Sequence, residues 1–405
     1  MADISKMFEG RSAMPVQEGA TTALQKKSMQ YWLMLGFSLF VGFGIAEGVV
    51  RVFAVFGGEL GHRLAKYEIS PATMPIEAYG AHGFRQKPNQ IFPYKNGTAA
   101  YSNSKGYRGP LVALEKPPGT YRILLLGGST THGFNVNDEE TIDAHLRRIL
   151  SERYSGIQFE VVNLAYDGYD SYQLLLRLQS DGVRFNPDMI VINEGINDVR
   201  NAHISDLKFY DPRTNGWREV LRLLGEEEKS AVSLYRLAKR YSYLIRLPAF
   251  LSLIYEEQRT VKSQRALIAP NPQAIENFEV NIRDISRIAS EIHATLILST
   301  PASSLESLYK PTDTSTLSYW VIDAATTQQY RVALAKRMQK IVAELKAAGA
   351  PAAYVSHQLA PEMFFDDCHL TSEGNRAEAV NLAQVAAPFI EFLFPDKVGS
   401  GQGAR

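Results

Sequence analysis

The chain has 405 residues, of which 45% are hydrophobic and 21% are charged, and its formal net charge is zero. This composition is typical of a globular protein, and a chain without a basic excess is not expected to bind nucleic acid. The single cysteine, Cys368, excludes a disulfide framework and any metal site built from several cysteines.

The N-terminal part of the chain is predicted to carry a membrane anchor. Residues 1–28 are polar and are predicted to form a disordered tail. Residues 29–56 are mostly aliphatic or aromatic, and Glu47 and Arg51 are spaced to pair on one helix face near an interface. A cleaved signal peptide is disfavoured because the leader is long and no Ala-x-Ala site follows. A buried helix of a soluble protein is the remaining alternative.

The charges that flank the anchor predict its orientation. Lys6, Arg11, Lys26 and Lys27 precede it, so the positive-inside rule places the N-terminus in the cytoplasm. Basic residues at 63 and 66 weaken this asymmetry. We therefore expect a single-pass protein whose main domain is extracytoplasmic, and periplasmic if the source is bacterial.

Residues 57–118 are predicted to form a stalk and an irregular extension. They are rich in Gly, Pro, Asn and Tyr and show no long helical pattern. Residues 103–109, Asn-Ser-Lys-Gly-Tyr-Arg-Gly, are either a surface turn or a segment that lies over the active edge of the domain that follows.

Residues 119–396 show a strand–helix rhythm that predicts an α/β domain. Five short apolar runs alternate with helical patterns, and they comprise residues 121–126, 159–164, 189–193, 295–299 and 352–355. Such alternation predicts a parallel sheet of five strands covered by helices on both faces, in three α/β/α layers. Residues 199–270 interrupt the rhythm as a helical insertion, typical of a lid or substrate-binding element, or of a hairpin packed on its own domain. Residues 397–405 are predicted to be a disordered tail.

The first strand ends in a glycine turn followed by a serine. Gly127 and Gly128 are adjacent, whereas a dinucleotide fingerprint needs Gly-x-Gly. Phe134 follows Gly133, where a phosphate-binding loop needs lysine. Thr131 occupies the position that a nucleophile elbow gives to glycine. Taken alone, the turn is equally typical of a tight strand-to-helix connection built from small residues.

Candidate site residues follow four of the strands. Ser129 comes after the first, Gly168 after the second, Asn197 after the third, and Asp366 with His369 after the fifth. The carboxyl ends of parallel strands meet at one edge of a sheet, where α/β proteins bind ligands. Acyl transfer needs a nucleophile, a base, a group that orients the base, and donors for the oxyanion. The four loops supply each of these parts.

Across residues 121–394 the chain resembles the SGNH (GDSL-like) hydrolase family. The motifs that carry the resemblance are Gly127-Gly128-Ser129, Asn163 with Gly168, Gly195-Ile196-Asn197-Asp198, and Asp366-Asp367-Cys368-His369. The resemblance implies a flavodoxin-like strand order. One departure is that Gly128 replaces the aspartate of the first motif, which removes a side chain that braces the loop.

The resemblance also implies residue roles. Ser129 is expected to be the nucleophile, His369 the general base, and Asp366 the residue that orients His369. The oxyanion hole is expected to combine the N–H groups of Ser129 and Gly168 with the side chain of Asn197. No cofactor or metal is implied.

We therefore expect a serine esterase that removes an acyl group, an O-acetyl group in particular, from a cell-envelope glycan or a related ester through an acyl-enzyme. The expected partners are this substrate, the membrane and envelope polysaccharide machinery. An O-acyltransferase that uses the same residues is the first alternative, because only the acceptor differs. A catalytically silent glycan-binding module is the second.

Five residues near or outside the motifs are set aside. His132 is expected to be turned away by its place at a helix start, and Asp367 to face solvent. Cys368 is expected to be a small packed residue. His203 and His357 lack metal-ligand spacing with any other residue.

Overall fold

The computed structural model describes residues 18–58, 60–61, 64, 76–78, 84–94, 96–199, 241–248, 250–251, 255, 272–304 and 324–398. The chain divides into two compact units, one of residues 1–69 with 232–254 and one of residues 70–231 with 255–405. Parts of the predicted terminal tails (residues 1–17 and 399–405) and most of the predicted insertion at 199–270 lie outside the described residues.

The first unit is built on a long helix, α1 (Glu18–Phe56). Its portion Ser28–Phe56 has 29 residues and is apolar and long enough to cross a membrane. At a rise of about 1.5 Å per residue, this portion exceeds the roughly 30 Å of a hydrocarbon core. The helix begins at Glu18, so the predicted tail is helical over its last residues. Residues 23–27 of that stretch are Ala-Leu-Gln-Lys-Lys, and these residues favour helices.

Glu47 of α1 caps a second helical segment in the same unit. Its carboxylate accepts hydrogen bonds from Ser242 Oγ at 2.6 Å and from the backbone N–H groups of Tyr243 and Leu244 at 2.9 Å each. Arg51 Nε donates to the same carboxylate at 2.8 Å, which confirms the predicted pairing. Because a helix N-terminus has unpaired N–H groups, this carboxylate fastens the segment to α1. The cap adjoins a small apolar core of Val50, Ala54, Leu64 and Phe250.

The extension before the main sheet contains two short antiparallel pairs. Strands β1 (Ile76–Ala78) and β2 (Phe84–Gln86) form the first, and β3 (Ile91–Pro93) and β4 (Ala99–Tyr101) form the second. The composition of residues 57–118 predicts irregular structure here. Each strand has three residues, which is too few for an alternating pattern to be visible.

The second unit contains the predicted parallel sheet. Its strands are β5 (Thr120–Gly127), β6 (Gln158–Asn163), β7 (Met189–Asn193), β8 (Thr295–Ser299) and β9 (Ala352–Val355). They pair in the order β6-β5-β7-β8-β9, and every pair is parallel. This order confirms the predicted fold class, because 2-1-3-4-5 is the flavodoxin-like arrangement.

Helices cover both faces of the sheet. They are α2 (Ser129–His132), α3 (Ile142–Arg153), α4 (Ser171–Ser180), α5 (Pro272–Glu291), α6 (Ala324–Ala347), α7 (Ser372–Leu393) and α8 (Pro395–Val398). Alternate side chains of β5 point to opposite faces: Leu124 joins a core with α4, α5 and α6, whereas Leu125 joins a core with α3 and α7. The domain therefore has the three predicted layers.

Candidate active site

The central strand β5 delivers Ser129 to the carboxyl edge of the sheet. The strand ends at Gly127, only Gly128 separates it from the serine, and α2 begins at Ser129 itself. A Cβ atom on Gly127 would lie 2.2 Å from Thr131 Oγ1, so the turn has no room for a side chain there. The tightness of the turn explains why the serine follows glycine directly.

Ser129, His369 and Asp366 form one chain of hydrogen bonds. Ser129 Oγ lies 2.8 Å from His369 Nε2, and His369 Nδ1 lies 2.6 Å from Asp366 Oδ2. The other carboxylate oxygen, Oδ1, accepts the backbone N–H groups of Cys368 at 2.9 Å and of His369 at 2.7 Å. This arrangement fixes both the carboxylate and the ring, so a proton can pass from the serine to Nε2.

The electrostatics of the site favour a protonated His369. Burial disfavours the imidazolium ion, but the Cys368 sulfur and the Asp366 carboxylate beside it outweigh burial, and the pKa of His369 lies well above its usual value of 6.5. Burial also raises the pKa of the Cys368 thiol to about 11, so the thiol is neutral near pH 7. A neutral thiol carries no charge that could stabilise the imidazolium ion. We therefore ascribe the raised pKa of His369 to the Asp366 carboxylate.

The residues expected to form the oxyanion hole lie against the same turn. Asn197 Nδ2 donates to the carbonyl oxygen of Tyr169 at 2.9 Å, and it lies 2.4 Å from the position of a Cβ atom on Gly128. Gly168 precedes Tyr169 and has a φ of 79°, a left-handed conformation that favours glycine. The loop that holds Gly168 is tied to β5, because the Tyr166 N–H donates to the carbonyl oxygen of Gly127 at 3.1 Å.

The segment at 103–109 contacts the loop that follows the serine. The Arg108 guanidinium is fully buried and pairs with Asp138 at 2.6 Å. It also donates to the carbonyl oxygens of His132 at 3.0 Å, of Gly133, and of Val136 at 2.6 Å. Of the two alternatives for this segment, the structure therefore supports the one in which it lies against the active edge.

We expect Arg108→Ala to destabilise the protein by about 3–5 kcal/mol, because it removes one partner of a buried ion pair and leaves carbonyl oxygens without a donor. Such a loss lowers Tm by about 10 °C, measurable by thermal unfolding of the full chain in detergent. Arg283→Ala is the matched control. Its partly exposed ion pairs with Glu279 and Glu344 are worth about 1 kcal/mol or less. Equal shifts in both variants contradict the prediction.

Aromatic residues that the sequence analysis did not single out lie beside the catalytic ring. The Phe134 ring packs against His369 with centroids 4.6 Å apart. Tyr94, from the extension, packs edge-on against Phe134 with centroids 5.1 Å apart. Phe134 lies five residues after Ser129, and this proximity was the available signal. Tyr94 gave no signal, because its contact bridges 40 residues of chain.

His132 is buried, and its ring is hydrogen-bonded to side chains outside the triad. Its Nδ1 lies 2.9 Å from Asp167 Oδ1, and its Nε2 lies 3.3 Å from Gln86 Oε1. Burial tends to raise the pKa of Asp167, but the adjacent His132 ring, together with His369 and Arg108, outweighs burial and lowers it. Asp167 immediately precedes Gly168, so the hydrogen bond between His132 and Asp167 connects α2 to the loop that holds Gly168. Sequence reasoning missed it.

The structure corrects one prediction in the histidine loop. Asp367 was expected to face solvent, but the residue is only 6% exposed. Its carbonyl oxygen accepts hydrogen bonds from Ser303 Oγ at 2.8 Å and from the Ser304 N–H at 3.2 Å, so the loop after β8 holds it inside. Cys368 is buried, which confirms that it is a packed residue.

Of the two other histidines set aside in the sequence, the structure describes one. His357 is buried, and its Nε2 lies 2.8 Å from Ser299 Oγ. His203 lies outside the described residues. Potential metal-ligand atoms of Asp366, Cys368 and His369 lie within 4.8 Å of one another. Asp366 and His369 are already hydrogen-bonded together and Cys368 is a neutral thiol, so this trio suits proton transfer better than metal binding.

Comparisons with known proteins agree with the motifs. Residues 125–377, more than half of the chain, match the model of the GDSL-like Lipase/Acylhydrolase family. Comparison with curated protein sequences finds no match.

Several solved structures have a similar arrangement. The acetylxylan esterase Axe2 from Geobacillus stearothermophilus has 17% identity and a TM-score of 0.38, and the match covers 65% of this chain and 93% of that one. A GDSL-like lipase from Bacteroides thetaiotaomicron has 17% identity and a TM-score of 0.33, with 66% and 88% covered. The protein TesA has 13% identity and a TM-score of 0.35, with 66% and 98% covered.

Proposed function

Because the chain belongs to the GDSL-like lipase/acylhydrolase family, we propose that it is a serine esterase that removes an O-acetyl group from a cell-envelope glycan or a related ester. The observation that carries this proposal is the hydrogen-bonded chain from Ser129 through His369 to Asp366. Such a chain activates a serine hydroxyl for attack on an acyl carbon.

In the proposed first half-reaction, Ser129 Oγ attacks the ester carbonyl carbon while His369 Nε2 takes the hydroxyl proton. The carbonyl oxygen becomes an oxyanion that the N–H groups of Ser129 and Gly168 and the amide of Asn197 stabilise. When the tetrahedral intermediate collapses, the bond to the alcohol oxygen breaks and His369 returns the proton to that oxygen. The products are a free hydroxyl on the glycan and an acetyl-serine.

In the second half-reaction, water attacks the acetyl-serine and His369 takes a proton from that water. Collapse of the second intermediate breaks the bond to Ser129 Oγ, and the proton returns to the serine. Acetic acid leaves and ionises in solution. Asp366 stays ionised throughout and stabilises the imidazolium ion that forms twice in each cycle.

The envelope substrate is supported by the predicted topology. We propose that α1 spans the membrane once, with the N-terminus in the cytoplasm, that residues 57–118 form a stalk and extension, and that the domain of residues 119–396 lies outside. A C-terminal fusion to a reporter that is active only in the periplasm tests this in a bacterial host. Activity of a cytoplasmic reporter at the same position, with the periplasmic one silent, contradicts it.

The products distinguish the esterase from its alternatives. The full chain in detergent is incubated with acetylated envelope polysaccharide, an acetyl donor and an oligosaccharide acceptor, and both free acetate and acetylated oligosaccharide are measured. The esterase is expected to release acetate faster than it forms acetylated oligosaccharide. The reverse ratio indicates an O-acyltransferase, and binding of polysaccharide with neither product indicates a silent binding module.

The raised pKa of His369 predicts how activity depends on pH. Only the neutral ring accepts the serine proton, and a raised pKa means that the inactive, protonated ring persists to higher pH. We expect kcat/KM for a small acetyl ester to rise with pH through a midpoint above 6.5. Initial rates between pH 5 and 9 measure it. A value of kcat/KM that is already constant below pH 6 contradicts the assignment of this pH dependence to His369.

A further inference from the structure

A carboxyl group other than the family's aspartate lies beside the nucleophile turn. A Cβ atom on Gly128 would lie 2.6 Å from Glu194 Oε2, in addition to its close approach to Asn197. A side chain at position 128 would therefore require the ends of the Glu194 and Asn197 side chains to move. The family's Gly-Asp-Ser motif places a carboxylate on the turn itself, whereas in this chain a carboxyl group reaches the turn from the end of β7.

Glu194 is placed to control the position of Asn197. It directly follows β7, and its side chain is buried. Its Oε1 accepts the backbone N–H of Asn197 at 2.9 Å, and its own N–H donates to the carbonyl oxygen of Ser299 at 3.2 Å. The carboxyl group thus closes the tight turn that presents Asn197. One hydrogen of the Asn197 amide is held by Tyr169, and the other is available to a substrate oxyanion.

We propose that Glu194 is a positioning residue of this active site, which holds the Asn197 amide where the oxyanion of the tetrahedral intermediate forms. This inference rests on the esterase function proposed above and adds a residue to its machinery. Glu194 acts through Asn197, and its carboxyl group also occupies the space beside Gly128.

The charge of Glu194 matters at this place, because a carboxylate close to the oxyanion opposes its formation. Burial first, and then the negative charges of Asp198 and Asp170, raise the pKa of Glu194 to about 8. The backbone N–H groups of Gly195 and Asn197 act in the opposite direction but are outweighed. Near pH 7 the group is therefore a neutral acid that accepts a hydrogen bond without repelling the oxyanion.

A double-mutant cycle on the full chain in detergent tests the positioning role. We expect Asn197→Ala to lower kcat for a small acetyl ester about 10²- to 10³-fold, and Glu194→Ala to lower it about 10- to 10²-fold with little change in KM. In the Asn197→Ala background, Glu194→Ala is expected to change kcat less than about twofold, because the group it positions is already absent. Multiplicative effects in the double variant overturn the proposal.

The pH profile of Glu194→Gln gives a second test. It does not require the Glu194→Ala variant, which lacks a buried side chain, to fold. In the wild type, ionisation of Glu194 is expected to lower kcat above pH 8. Glutamine has the same shape and cannot ionise, so this alkaline fall is expected to disappear. An identical alkaline fall in both proteins overturns the proposal. Ser129→Ala, measured alongside, keeps this result separate from the esterase function itself, because activity that survives in that variant refutes the function rather than the role of Glu194.

Discussion

Replacement of Ser129 by alanine is expected to lower kcat for a small acetyl ester about 10⁴- to 10⁶-fold and to leave the fold unchanged. The hydroxyl is the atom that bonds to the acyl carbon in the proposed mechanism, and the remaining oxyanion donors give only residual catalysis. The hydroxyl has one hydrogen-bond partner of consequence, His369, and the residue is partly exposed at the head of α2. Its loss therefore costs little stability.

The measurement combines initial rates with a probe of the covalent intermediate. Ser129→Ala is compared with Ser151→Ala, an exposed serine on α3 that takes no part in the site. Mass spectrometry of the wild type quenched during turnover is expected to show one added acetyl group on the peptide that contains Ser129. Full activity in Ser129→Ala, or acetyl on another residue, excludes the proposed nucleophile.

Replacement of Asp366 by asparagine is expected to lower kcat about 10⁴-fold through the wrong histidine tautomer. Two backbone N–H groups, of Cys368 and His369, point at the Oδ1 position. The amide oxygen of asparagine will occupy that position, so its NH₂ group will face His369 Nδ1. A hydrogen donated to Nδ1 places the ring proton on Nε2, and Nε2 then cannot accept the proton of Ser129.

The pH dependence of the same variant provides an independent check. Without the carboxylate, the pKa of His369 loses the partner that raises it, so the acidic limb of residual activity is expected to move to lower pH. Asp284→Asn, on the exposed face of α5, is the matched control and is expected to keep the wild-type rate and profile. If Asp366→Asn lowers the rate but leaves the acidic limb of the pH profile at its wild-type position, Asp366 has only a structural role.

The regular part of the fold was predictable because its signal is local. Each of the five strands is a short apolar run that ends in turn residues, and buried parallel strands need this pattern. The strand order came from the resemblance to a family, since periodicity does not say which strands are neighbours. The short pairs β1–β2 and β3–β4 were not predictable, because three residues carry no period.

The triad was predictable for a different reason. Ser129, Asp366 and His369 lie in motifs whose order and spacing resemble those of a family, and the structure brings them together. Arg108 and Glu194 were not identified, because their importance depends on contacts with loops distant in sequence. The sequence shows that Gly128 lacks the aspartate side chain that would stabilise the loop. The sequence did not show that the Glu194 and Asn197 side chains occupy the space beside that position.

The cap that Glu47 places on the segment after Ser242 joins the chain to α1 a second time, in addition to the peptide link at Phe56. The chain leaves α1 after Phe56, forms strands β1 to β7, and returns to α1 at Ser242 before it continues into α5. A single proteolytic cut between α1 and β1 breaks the peptide link but leaves this second attachment in place. Separation of the catalytic residues from α1 therefore requires a second cut, between Ser242 and α5, or loss of the contacts that Glu47 and the small apolar core make with this segment.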